Sequence, residues 1–251
     1  MTKIVLILLI IAFITYLLYS NMPIFLFVKA NKKYSNAETA EAMKLYEKAY
    51  NFKHCKPSIK IMYTYVLIRN GEIDKAEKIL NEVSTAKLLP KDEITIGLNL
   101  SLIMWKKNNL PKAIELLEQL ISKGYKNSTV YQNLGYYLIL NGDYSKALEF
   151  NKEAYDYSNT DLGILDNLGM NYYFLEDYEK AAEIYKDVIS KNPTFATAYY
   201  YYGKTLKALG DSSKALEMFN NGLSCNFTFI SPIDKACLEN EINTLKDDLN
   251  N

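Results

Sequence analysis

The sequence is poor in the residues that carry most enzyme chemistry. It holds one histidine, His54, one arginine, Arg69, and one tryptophan, Trp105, in 251 residues. A single histidine supports no Ser-His-Asp or Cys-His arrangement. His54 stands beside Cys55, but no further Cys, His or paired acids follow at ligand spacing, so no metal site is expected. With one arginine, rigid bidentate recognition of phosphate or carboxylate has few candidates. The three cysteines, Cys55, Cys225 and Cys237, are odd in number and far apart. That excludes a disulfide framework and favours a reducing compartment. No glycine-rich phosphate loop is present. Lys plus Arg equals Asp plus Glu at 29 each, so nothing calls for nucleic acid as a partner. Neither catalytic residues nor a cofactor are expected.

What the chain does have is apolar surface. Hydrophobic residues make up 49%, and tyrosine alone contributes 22. The run "IVLILLIIAFITYLLYSNMPIFLFV", residues 4 to 28, carries no charge. A bilayer core needs about 20 apolar helical residues, so residues 1–22 are expected to form a transmembrane anchor. Tyr16 and Tyr19 suit its interfacial belt, and Pro23 is expected to end or kink the helix after Asn21. The alternative is a signal peptide cleaved at "VKA", 28 to 30, giving a secreted or surface-displayed protein. The run exceeds the usual signal core of about 7–15 residues. Lys29, Lys32 and Lys33 follow the span, and Lys3 and the amino terminus precede it, so a margin of one charge leans toward a cytosolic C-terminal domain.

Beyond residue 56 the chain repeats. The segments "NGEIDKA", "KNNLPKA", "NGDYSKA", "LEDYEKA" and "LGDSSKA" close on Ala76, Ala113, Ala147, Ala181 and Ala215, at separations of 37, 34, 34 and 34. Gly135, Gly169 and Gly203 stand twelve residues before the last three. Ser101 and Thr64 take that place in the first two. Leu or Tyr precedes it in every copy.

This pattern resembles the tetratricopeptide repeat, a helix-turn-helix unit of about 34 residues. "LDNLGMNYYFLEDYEKAAEIYKDVISKNP", 165 to 193, carries most of it. The resemblance implies an all-α helix-turn-helix solenoid, a superhelix with its first helices on the concave side, preceded by one transmembrane helix. Small residues at the glycine and alanine positions let paired helices approach closely, and Gly169 is expected to face Ala181. Each pair leaves an apolar face for the next pair to cover. The array is placed at 57–229, about five repeats. Residues 23–56 are either a degenerate first repeat or an extension of the anchor helix. Residues 230–251 are expected to form a capping helix, with Ser231 as N-cap and Pro232 in its first turn.

Asn99, Asn133 and Asn167 recur at spacings of 34 on the first helices. Some members of the family hold extended peptides with such an asparagine ladder. An Asn amide can bond a peptide N–H and C=O together, whatever the peptide side chain. The same column might instead bond only to neighbouring helices. Tyr136, Met170, Tyr201 and Lys204 join the three asparagines as expected peptide contacts. The Lys/Asn/Arg set of the family's two-carboxylate clamp is absent. The resemblance thus implies a membrane-anchored interaction module or scaffold for a protein or peptide partner, with no catalysis of its own.

Overall fold

The computed structural model describes residues 2–85 and 88–250. Thirteen α-helices and no strand occur among them. They are α1 Thr2–Ser35, α2 Thr39–Tyr50, α3 Pro57–Arg69, α4 Ile73–Ser84, α5 Pro90–Lys106, α6 Leu110–Ser122 and α7 Ser128–Leu140. Then follow α8 Tyr144–Tyr157, α9 Leu162–Phe174, α10 Tyr178–Ser190, α11 Ala196–Ala208, α12 Ser212–Gly222 and α13 Lys235–Asn250. They group into two compact units. The first runs through Leu67 and takes in Glu72–Ile96; the second comprises Ile68–Gly71 and Gly97 onward.

In the first unit α1 corrects the expectation at Pro23. The helix does not end there but runs unbroken to Ser35. Proline removes one helical N–H and crowds the preceding turn. Packing downstream holds the helix together: Leu26, Phe27 and Ala30 are buried, as are Ala42, Tyr46 and Ala49 of α2. The Phe27 and Tyr46 rings lie 5.2 Å apart, and the Tyr46 hydroxyl donates to Asn31 Oδ1 at 2.6 Å. Lys33 pairs with Glu38 and Glu41 across the turn. The N-terminal stretch differs. From Ile4 to Tyr19 the large apolar side chains are exposed on every face. Mean hydropathy there reaches 2.4, so α1 is long and apolar enough to cross a membrane.

The turns explain the repeated "GD" and "ED" signals. Ala37, Gly71, Asn108, Gly142, Glu176 and Gly210 all adopt positive φ, a conformation natural only to glycine and, less well, asparagine. The residue after each completes the turn. Asp177 donates its N–H to the Tyr172 carbonyl at 3.0 Å, closing α9. Its carboxylate then accepts the Lys180 N–H at 3.3 Å, opening α10. Asp211 does the same between Leu206 and Lys214, and Asn109 between Met104 and Lys112. One residue ends one helix and caps the next.

In the second unit each helix from α6 to α13 packs against its sequence neighbours; α9 also meets α7 and α11. The glycines mark the close approaches, but not against the expected partner. A Cβ on Gly169 would lie 2.9 Å from the Tyr185 ring. Gly203 sits likewise under Phe219, and Gly135 under the Asn151 amide. The facing residue is sixteen positions on, one helical turn beyond the repeat alanine. Ala181 belongs to the same buried cluster as Tyr185, with Leu165, Val188 and Ala198. The start of α13 is a second correction. Asp234 is its cap, accepting the Cys237 N–H at 2.9 Å. Ser231 instead forms a turn, its hydroxyl accepting the Thr228 N–H at 2.9 Å. Leu238, Ile242 and Leu245 of α13 bury against Phe219 and Met218 and close the stack.

Candidate functional site

The first helices of the second unit present one face, built by α7, α9, α11 and α5 from Gly97 on. A recess of about 220 Å³ opens in it. Leu102 and Trp105 of α5, Asn133, Tyr136 and Tyr137 of α7, and Asp166 and Asn167 of α9 line it. Thr197 of α11 and its neighbour Phe195 complete the far wall. Trp105 meets Tyr136 edge-on with centroids 5.6 Å apart. The remaining wall is Ile230 and Pro232, from the connection between α12 and α13. That connection is tied down: the Phe229 N–H donates to the Arg69 carbonyl at 3.1 Å. Lys106 Nζ lies 4.1 Å from the Trp105 centroid and 5.3 Å from that of Phe229. Burial holds the Lys106 ammonium below its ordinary pKa.

The three asparagines meet three fates. Asn167 is buried, and its amide donates to the Gln132 carbonyl at 2.7 Å, which ties α9 to α7. Asn99 is buried at 3% exposure and already has partners. Asn133 is half-buried at the recess, and its amide makes no hydrogen bond among the described residues. Tyr136 shares the recess with Asn133 and Asn167; the other four expected contacts are not part of its wall. Met170 is 1% exposed, beneath Tyr136 and Tyr201. Tyr201 is half-buried among Tyr173, Phe174 and Tyr200, with centroids within 5.7 Å. Lys204 donates to Glu241 of α13 at 2.8 Å, and Lys207 lies 3.6 Å from the other oxygen of that carboxylate. One carboxylate thus offsets half of this positive edge.

Two features escaped the sequence reading. One is the wall from the α12–α13 connection, which lies outside the repeat period. The other is the buried setting of Asp166. Its Oδ2 accepts the Thr197 hydroxyl at 2.6 Å, while its Oδ1 is buried with no partner. Burial pushes the carboxyl up to about 7, against the opposing pull of its bond to Thr197, while the Tyr185 hydroxyl donates to the Asp166 backbone carbonyl at 3.1 Å. The Tyr137 hydroxyl is also buried without a partner. The only advance signal was that Gln132, Asp166 and Tyr200 share a repeat position, one of them acidic. No group of three or more His, Cys, Asp or Glu side chains suited to a metal ion occurs among the described residues.

Helix pairs joined by three-residue turns, stacked in sequence order and closed by a polar-backed helix, define an all-α repeat solenoid. The chain belongs to the tetratricopeptide-repeat family: profiles described as tetratricopeptide repeat match residues 98–161, 165–194 and 184–217. Among solved structures it is similar to a tetratricopeptide repeat protein from Parabacteroides merdae. Identity is 14%, coverage is 90% of this chain and 85% of that one, and the TM-score is 0.72. A thermophilic TPR protein of Thermus thermophilus is 14% identical over 76% of this chain and 99% of its own, with a TM-score of 0.61. A chain of the APC/C hetero-tetramer Cut9–Hcn1 matches 92% of this chain over 45% of its own, at 14% identity and a TM-score of 0.69. No curated protein matches significantly by sequence. At such identities the structural likeness establishes the fold. That fold is a protein-interaction scaffold and typically a non-catalytic module.

Proposed function

We propose that the chain is a membrane-anchored scaffold that holds an extended segment of a partner protein on its first-helix face. The observation that carries this reading is Asn133. Its amide stands at the recess with no partner among the described residues, while the register-matched Asn167 is used internally. An amide left free beside aromatic walls suits a peptide backbone, which offers an N–H and a C=O together. Tyr136 supplies apolar contact next to it. Asn167, Asn99 and Met170 then support the surface from behind, and Tyr201 and Lys204 flank it.

The anchor is residues 1–22. Side chains apolar all round and exposed from Ile4 to Leu18 would be costly in water. Tyr19, 5.8 Å from Phe52 and 6.2 Å from His54 by ring centroids, marks where the helix meets the folded body. Cleavage at "VKA" is disfavoured, because Ala30 is 0% exposed within the α1–α2 packing. The three lysines after the span, against Lys3 and the amino terminus before it, favour a cytosolic repeat domain by one charge.

The test is recovery of the partner with full-length chain extracted from membranes. Asn133→Ala should lower recovery, and Lys152→Ala, on exposed α8 surface, should not. Equal recovery by wild type and Asn133→Ala would remove the basis for the reading. Intact mass of the extracted chain tests the anchor: a chain starting near Asn31 contradicts it.

A further inference from the structure

We infer that the recess beside Asn133 is a pocket for a lysine side chain of the bound segment. This rests on the peptide-holding role proposed above and names the chemistry of its partner. The floor is a carboxylate at 7% exposure, Asp166, with Oδ1 buried and unpartnered. A buried carboxylate is normally paired or fully hydrogen-bonded. Asp166 forms no ion pair among the described residues, and Thr197 satisfies only its other oxygen. Lys106, the cation held over the Trp105 ring, does not pair with it.

The walls fit the same ligand. Trp105, Tyr136, Tyr137 and Phe195 line the recess, and aromatic rings attract an ammonium through their negative faces. Leu102, Ile230 and Pro232 give apolar surface for the methylene stem of a lysine. An ammonium has three donors and no acceptor. The recess offers two side-chain oxygens that no described residue pairs with, Asp166 Oδ1 and Asn133 Oδ1. An acidic side chain would meet Asp166 at close range. An apolar one would leave these oxygens desolvated and unpaired, which is what penalises a wrong ligand most.

Trp105 is the only tryptophan, so its fluorescence reports on this recess alone. The experiment titrates the full chain in detergent with the pentapeptide acetyl-Gly-Gly-Lys-Gly-Gly-amide and with its norleucine and N-ε-acetyl-lysine counterparts. The lysine peptide should bind roughly 10- to 100-fold more tightly than either, the range expected for a hydrogen-bonded charge. Asp166→Asn, which keeps the shape and the bond to Thr197, should abolish that preference. Equal binding of the lysine and norleucine peptides to the unaltered chain overturns the inference, whatever the variant does. If the two peptides bind the unaltered chain equally and Asn133→Ala weakens both alike, the backbone-holding role stands and the lysine pocket falls. If the lysine preference survives and Asn133→Ala changes nothing, the reverse holds. No saturable response to any peptide contradicts both.

Discussion

Asn167 donates its side-chain amide to the Gln132 carbonyl at 2.7 Å, joining the first helices of adjacent repeats. Asn133, one repeat earlier, makes no such bond. The two should therefore respond oppositely to truncation. Asn167→Ala removes the bond that ties α9 to α7 and should cost about 0.5–1.5 kcal/mol. Asn133→Ala should shift stability by about 0.5 kcal/mol or less. Chemical denaturation of both variants checks the contrast, and similar midpoints would contradict it.

Gly135 lies against a polar core. Asn151, fully buried, donates to Asn171 Oδ1 at 3.0 Å, and Asn171 donates to the Tyr144 carbonyl at 2.8 Å. A Cβ on Gly135 would overlap the Asn151 amide oxygen. In an open helix Gly→Ala stabilises by about 1 kcal/mol. Here overpacking should reverse the sign and cost about 1–3 kcal/mol. Gly135→Ala melting above the wild type would show that the amide relay moves aside freely.

Glu176 holds positive φ, 61°, where Gly142 and Gly210 stand in neighbouring repeats. A side chain in that region costs about 1–2 kcal/mol. Glu176→Gly should thus raise stability by about 0.5–1 kcal/mol, after the entropy that glycine adds to the unfolded chain. Gly210→Ala should lower it. A Glu176→Gly variant that melts below wild type would mean its side chain makes an interaction absent from the turn geometry.

Asp166 gives the protein a pH signature. Its carboxyl, at about 7 in the fold, is raised from an ordinary value of 3.8, so the folded state holds the proton more tightly. The resulting stability is complete below pH 4 and is lost as pH rises through 7. Tyr185, Tyr136 and Tyr201 surround the carboxyl, and burial pushes all three up, so none titrates in this range. At roughly 1.4 kcal/mol per unit, the wild type should lose on the order of 2–4 kcal/mol between pH 5 and pH 8. Asp166→Asn should lose clearly less across the same scan. Parallel curves for the two would place the pH dependence elsewhere.

Deleting residues 1–22 should release the chain to the soluble fraction with its helices intact, because Leu26, Phe27 and Ala30 keep their packing on α2. Deleting through Asn31 should also strip those residues and the acceptor of the Tyr46 hydroxyl, and should destabilise α2. A 1–22 deletion that still pellets with membranes after high-salt washing contradicts the anchor.

The helix pairs were legible in the sequence because each repeat states its turn locally. Asp143, Asp177 and Asp211 cap the next helix wherever they occur, so spacing alone locates them. What was not legible depends on neighbours. Pro23 looks like a stop until the packing of Phe27 on Tyr46 is known. Asn133 and Asn167 share one repeat position, and only the reach of Asn167 to the Gln132 carbonyl separates them. Gly169 was paired with the small Ala181, but helix geometry puts Tyr185 there. Asp166 reads as a groove position of the first helices, but its burial depends on α11, which brings Thr197 over it, and on the α12–α13 connection, which brings Ile230 to the same recess. That connection lies beyond the period and left no pattern to read.

The central claim is that the first-helix face of the second unit is where a partner protein sits. The most direct measurement is photocrosslinking in intact membranes, with a benzophenone amino acid placed at Tyr136 or, as control, at Lys152 on exposed α8 surface. The account predicts a discrete crosslinked protein from position 136, weakened by Asn133→Ala, and none from position 152. Equal crosslinking from both positions, or from 152 alone, would contradict it.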